Sequence, residues 1–168
     1  MNIGSPLSAD MLEGVFSLRR EWQPLWLSSK LVYLGEIKRT NSFEGHHPMG
    51  QTKIDGQWKR DFLYDDTALA YCSEEGLVII AGCSHAGICN IIEQARQVCR
   101  EDRVAAIIGG FHLMQPDPHV LQQTMDYFAS LHPGAVYAAH CCDFASKCAL
   151  ARVAPVQEAG VNLALEWV

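Results

Sequence analysis

The chain has 168 residues, 49% of them apolar and 19% charged, with a formal net charge of −6. That length and apolar share suit one globular domain with a real core and exclude a disordered chain. The acidic balance argues against a nucleic-acid surface built on bulk positive charge. No apolar run approaches the roughly 20 residues a membrane helix needs, so no membrane partner is expected either.

The start, Met1-Asn2-Ile3-Gly4-Ser5-Pro6, does not read as a signal peptide, because no basic segment leads into an apolar core. The seven cysteines are odd in number and form no CxxC pair. Free thiols in a reducing compartment are the simplest account, and a cytoplasmic location is expected. Ser8 is placed to cap a short helix carrying Met11, Leu12, Val15, Phe16 and Leu18 on one side. Pro24 ends it, and Trp22 and Trp26 then need something to pack against. Residues 30–35 read as a strand. Residues 38–60 are polar, contain His46, His47, Pro48, Gly50 and Gly56, and read as a long loop with a solvated histidine pair.

From residue 61 the pattern becomes regular. Runs 67–72 and 77–81 read as two strands of a hairpin joined by Ser73-Glu74-Glu75-Gly76. Three strand–helix units follow. Residues 87–100 place Ile88, Ile91, Ile92, Ala95, Val98 and Cys99 at helical spacing, with Glu93, Gln94, Arg96 and Gln97 opposite. Residues 104–108 are the next strand. Asp117-Pro118 opens a second helix whose stripe is Val120, Leu121, Met125, Phe128 and Leu131, and Pro133-Gly134 stops it. Residues 135–139 are a strand, Asp143 caps a helix running through Leu150, and Pro155 opens a last helical turn. Residues 161–167 close the chain as an edge strand. Alternating strands and helices after a hairpin mean an α/β layer with a largely parallel or mixed sheet.

Three of the apolar runs end in a histidine: Gly82-Cys83-Ser84-His85, Gly109-Gly110-Phe111-His112 and His140-Cys141. A parallel sheet gathers its strand C-termini along one edge, where ligand sites form. Three imidazoles on that edge point to a metal site, since neutral imidazole suits zinc, iron and other transition ions. Cys83 and Cys141 flank two of these histidines, as ligands, as supporting groups or as small buried residues. Ser84 and Ala86-Gly87 lead straight into a helix N-terminus suited to a phosphate or carboxylate. Gly110 permits close approach of a ligand to the backbone.

These motifs resemble the C-terminal half of the metallo-β-lactamase superfamily, and within it the 7,8-dihydropterin-6-methyl-4-(β-D-ribofuranosyl)aminobenzene-5′-phosphate synthase branch. The resemblance rests on Leu34-Gly35-Glu36-Ile37, Asp65-Asp66-Thr67-Ala68-Leu69, the long Gly82-Cys83-Ser84-His85-Ala86-Gly87-Ile88-Cys89-Asn90 match, Ile108-Gly109-Gly110-Phe111-His112-Leu113 and His140-Cys141. It implies half of an αββα sandwich: a mixed sheet flanked by helices over 30–168, with residues 1–29 as a poorly assigned N-terminal segment. It implies His85 and His140 as metal ligands. His112 stands at a strand end where relatives place a bridging aspartate, as a ligand or a substrate contact. Zinc, iron or manganese would be the metal. The superfamily's HxHxDH signature is absent from these residues.

Half of such a sandwich would leave one apolar sheet face open, beyond the few hundred Å² monomers tolerate. A homodimer or a complementing chain is the expected partner, or residues 1–29 and 38–60 cover the face. The functional expectation is a metallohydrolase-derived protein acting on a phosphate ester or related substrate. A non-catalytic homologue that binds a metal or anion, or only a structural domain, is the alternative. A mononuclear enzyme using His85, His112 and His140 is a third reading.

Overall fold

A computed structural model describes residues 7–168; the opening segment read above for a signal peptide lies outside the described residues. A six-stranded sheet organises the molecule, in the order β1 (Leu25–Trp26), β2 (Leu31–Tyr33), β5 (Ala68–Ser73), β6 (Gly76–Ala81), β7 (Val104–Gly109) and β8 (Ala135–Ala138). The first four strands pair antiparallel and β6, β7 and β8 pair parallel, so the sheet is mixed. Among the described residues no helix is long and apolar enough to cross a membrane.

One register line explains the core. Val32, Ala70, Ile79, Ile107 and Val136 are cross-strand partners in series, and every one is fully buried. Successive side chains of a strand point to opposite faces, so the next line lies on the other side. That line is Tyr33, Leu69, Ile80, Ile108 and Tyr137. Ile80 is 42% exposed and its four partners are only half-buried. The sheet has one sealed face and one apolar face that is partly open.

The sealed face is packed by helix α2 (Ile88–Cys99), which lies over β5 and β6, and by the cluster containing α3 (Pro118–Leu131) and α4 (Phe144–Leu150). Phe128 of α3 meets Phe111 at a ring-centroid distance of 5.9 Å. Asp117 and Asp143 cap α3 and α4 by accepting from the amides of His119 and Ser146, as their positions suggest, and Pro118 occupies the first turn of α3.

Several expectations need correction. The polar stretch 38–60 holds an antiparallel hairpin, β3 (Gly50–Ile54) and β4 (Gln57–Asp61). Its turn is Asp55-Gly56, both with positive φ, as a type I′ hairpin requires. Residues 161–167 form no strand, because Val161-Asn162 turns with Asn162 at φ 70°. The sheet edge beyond β8 is occupied instead by a single parallel bridge, Val136 to Val156. Pro155 therefore sits in extended chain, its carbonyl accepting from the Val136 amide, and opens no helical turn. Helix α1 (Ala9–Glu13) is capped by Ser8, yet it buries nothing: Met11, Val15 and Phe16 stay exposed, as do Trp22 and Trp26. Gln94 is buried, not on the solvent side of α2.

Candidate metal centre

Parallel strands β6, β7 and β8 deliver Cys83, Ser84 and His85, then Gly110 and His112, then His140 and Cys141, to one edge. The ladder continues past the strand ends and holds these loops in register. Gly110 donates its amide to the Gly82 carbonyl, Ala139 donates to Gly109, and Leu113 bridges to Cys142. The buried Ser84 hydroxyl donates to the Gly110 carbonyl at 2.6 Å and ties the first loop to the second. Ser84 and His112 both sit in the left-handed region, at φ 60° and 54°. For residues other than glycine such a conformation costs about 1–3 kcal/mol, and that strain tends to collect at functional sites.

The three histidines do not close into one cluster. His85 and His112 meet with ring centroids 4.7 Å apart and planes tilted at 60°. His140 turns instead to Cys83, its Nε2 lying 3.0 Å from the sulfur. Cys83, His140 and Cys141 bring their ligand atoms within 4.8 Å of one another. Gly110 makes this possible: a Cβ there would stand 2.4 Å from Cys141 Sγ and 2.7 Å from His140 Nε2. Cys83 and Cys141 are half-buried and free, not core fillers.

Nδ1 of His85 is buried without a hydrogen-bond partner, an orphaned donor or acceptor that a metal would satisfy. Together with the thiols and imidazoles beside it, this makes the donor set fit a transition metal. Partial burial, with the His85 ring next, holds the His112 imidazole below its ordinary pKa and so favours the neutral form a ligand needs. Asp66 lies among these groups. Burial raises its carboxyl above the usual value, while the Ala86 amide and the charges of His85 and Arg39 oppose that rise.

The N-terminus of α2 is already filled by the chain's own carboxylates. Asp66 accepts from the Ala86 amide at 2.8 Å, and Gly87 donates to the Ser84 carbonyl. Buried Glu44 accepts from the amides of Cys89 and Asn90. A Cβ on Gly87, whose φ is 100°, would meet Glu44 at 2.3 Å. The anion expected at Ala86-Gly87 thus finds Asp66 and Glu44 in its place. Sequence reading missed both carboxylates, although Asp66 lies in a motif singled out above.

Beside this edge opens a cleft of about 520 Å³ lined by Ser84, His85, Gly87 and His112, and also by His47 and His119. His47 belongs to the histidine pair read as solvated; its neighbour His46 lies outside the cleft and binds the Asn41 carbonyl.

No family model matches the chain. The crystal structure of a metal-dependent hydrolase of the β-lactamase superfamily superposes with a TM-score of 0.76 at 25% identity, covering 90% of this chain and 57% of that one. The chain therefore has a metallo-β-lactamase-like fold, with a mixed sheet and flanking helices. Its sequence is 29% identical over 149 residues to the 7,8-dihydropterin-6-methyl-4-(β-D-ribofuranosyl)aminobenzene-5′-phosphate synthase of Methanocaldococcus jannaschii, covering 84% of this chain and 51% of that protein. An uncharacterized protein of the same organism is 29% identical over 108 residues, which is 64% of this chain and 39% of the relative. The chain spans about half the length, or less, of the curated relatives it matches.

Proposed function

We propose that this chain is a metallo-β-lactamase-like hydrolase unit that binds a divalent metal at its strand ends and acts on a phosphate ester or related substrate once a second copy or a complementing chain completes the site. The observation that carries this reading is the delivery of His85, His112 and His140 by three parallel strands to one edge, beside a 520 Å³ cleft. The phosphate in the name of the synthase relative and the metal dependence of the structural neighbour support the substrate and cofactor classes.

His85 and His112, whose rings meet at 4.7 Å while His140 turns to Cys83, would hold the metal, which when bound supplies Lewis-acid polarisation and lowers the pKa of a water. The chain's own groups do the rest. Asp66 places negative charge beside both rings of the His85–His112 pair. His47 and His119 offer donors for the oxygens of an anionic substrate at the cleft wall. Ser84 fixes the spacing of the first two strand ends.

The partner reading is supported by the half-open line of Tyr33, Leu69, Ile80, Ile108 and Tyr137. Covering such a face is favoured by about 25 cal/mol per Å² of apolar area removed from water. A cytoplasmic setting agrees with seven free cysteines. A second reading, a non-catalytic homologue that keeps the fold, is favoured by His140 turning to Cys83 instead of joining the His85–His112 pair.

Hydrolysis of aryl phosphate esters by the purified chain, loaded in turn with zinc, manganese or iron, separates the two. Metal-dependent turnover that drops at least about tenfold in His112→Ala supports the hydrolase. Metal binding without turnover at any protein concentration supports the second reading.

A further inference from the structure

The trio Cys83, His140 and Cys141 is not the ligand set implied by the resemblance, which uses imidazoles. Among the described residues it is the one group of three metal-ligating side chains whose donor atoms all lie within 4.8 Å. We propose that these three residues form a thiolate-bearing site for one zinc-like cation, with the fourth position left to solvent or substrate. The inference leaves the His85–His112 pair of the proposed function untouched.

Geometry supports it first. With Zn–S near 2.3 Å and Zn–N near 2.0–2.1 Å, tetrahedral ligand pairs stand about 3.5–3.8 Å apart. The 3.0 Å between Cys83 Sγ and His140 Nε2, and a spread within 4.8 Å for the trio, bracket that range. Two sulfurs and one imidazole make a soft donor set that selects zinc or copper(I) over magnesium or calcium.

The surroundings are built for it. Gly110 has no positive φ, so glycine is not required there by its backbone conformation; it is required by space, since a Cβ would strike both Cys141 Sγ and His140 Nε2. The His112 amide donates to Cys141 Sγ at 3.2 Å. An N–H aimed at the sulfur orients it, the role supporting groups play around ligating cysteines. Cys141 in turn donates to the Cys83 carbonyl at 3.3 Å, which parks the side chain beside its partner. Strands β6 and β8 are not neighbours in the sheet, so the site would clasp the two outer loops across the end of β7.

Cobalt substitution of the full chain, reduced and handled without air, tests this directly. The expected result is about one Co²⁺ per chain with near-ultraviolet thiolate-to-cobalt charge transfer. Cys83→Ser and Cys141→Ser should each weaken the band and weaken zinc binding, measured against a competing chelator, by more than the roughly 10–100-fold cost of losing an outer-shell group. Gly110→Ala should weaken binding without removing a ligand, which guards against a cysteine variant that fails to fold. His85→Ala and His112→Ala should keep the band. Absence of the band, or its survival in the Cys83/Cys141 double variant, overturns the inference. Metal bound without the band and lost in His85→Ala would overturn it while the proposed function stood. The band in a chain that hydrolyses nothing would leave it standing while that function fell.

Discussion

Two polar side chains on one helix organise the loop in front of the site. Asn90 accepts from the amides of Thr40 and Asn41, and Gln94 accepts from Lys38 while donating to the carbonyls of Leu34 and Glu36. Four residues apart, they lie on one face of α2, and their partners are backbone groups apart from the Thr40 hydroxyl, which also donates to Asn90. Gln94→Leu should therefore destabilise the chain by about 1–3 kcal/mol, because it leaves buried backbone groups unpaired, as chemical denaturation would show. Glu44, reached through the same loop, is buried at the N-terminus of α2. Burial raises its carboxyl above 4.5, against the opposing pull of the Asn41 side chain and the Cys89 and Asn90 amides. A raised folded-state value means that this contribution to stability is full below 4.5 and is lost as pH climbs through the folded value. Wild-type stability should thus fall relative to Glu44→Gln as pH goes from about 4 to about 8; a constant difference across that range would refute the assignment. Neither group stood out in the sequence. Gln94 reads as polar surface in a helical wheel, and Glu44 sits in a polar stretch where any carboxylate looks solvated. What made them functional was a burial set by tertiary packing.

Strand and helix elements were the most legible layer. The apolar runs that became β5 to β8, the caps Asp117 and Asp143, and the spacing of α2 all follow from local chemistry that tertiary structure reinforces. The errors came where a local signal was weak or overridden. Asp55-Gly56 is a strong hairpin signal, yet its flanks, Lys53 and Ile54 against Gln57 and Trp58, alternate too poorly to read as strands. The partial alternation of 161–167 lost to a turn at Asn162. Helix α3 owes its seat to Phe128, fully buried against Phe111, the residue before His112. Phe128→Ala should cost about 3–5 kcal/mol in thermal or denaturant unfolding. If the cost were below about 1 kcal/mol, α3 would not be the support of the β7 loop.

At the scale of the whole molecule, the sheet is sealed by helices on one side and half-open on the other. The strand-end histidines were legible because each closes an apolar run, but their grouping was not. Strand order and the absence of a Cβ at Gly110 decide that His140 faces two cysteines while His85 faces His112. If a second copy covers the open face, the wild-type chain should sediment as a dimer at micromolar concentration. Ile80→Asp should then yield a folded monomer, because a charge at the 42% exposed centre of that face cannot be buried unpaired. The central claim is that this edge holds a metal, and elemental analysis of the purified chain after loading with zinc and removal of excess tests it most directly. The account predicts at least about one tightly held ion per chain. A stable, folded chain that retains none would contradict it.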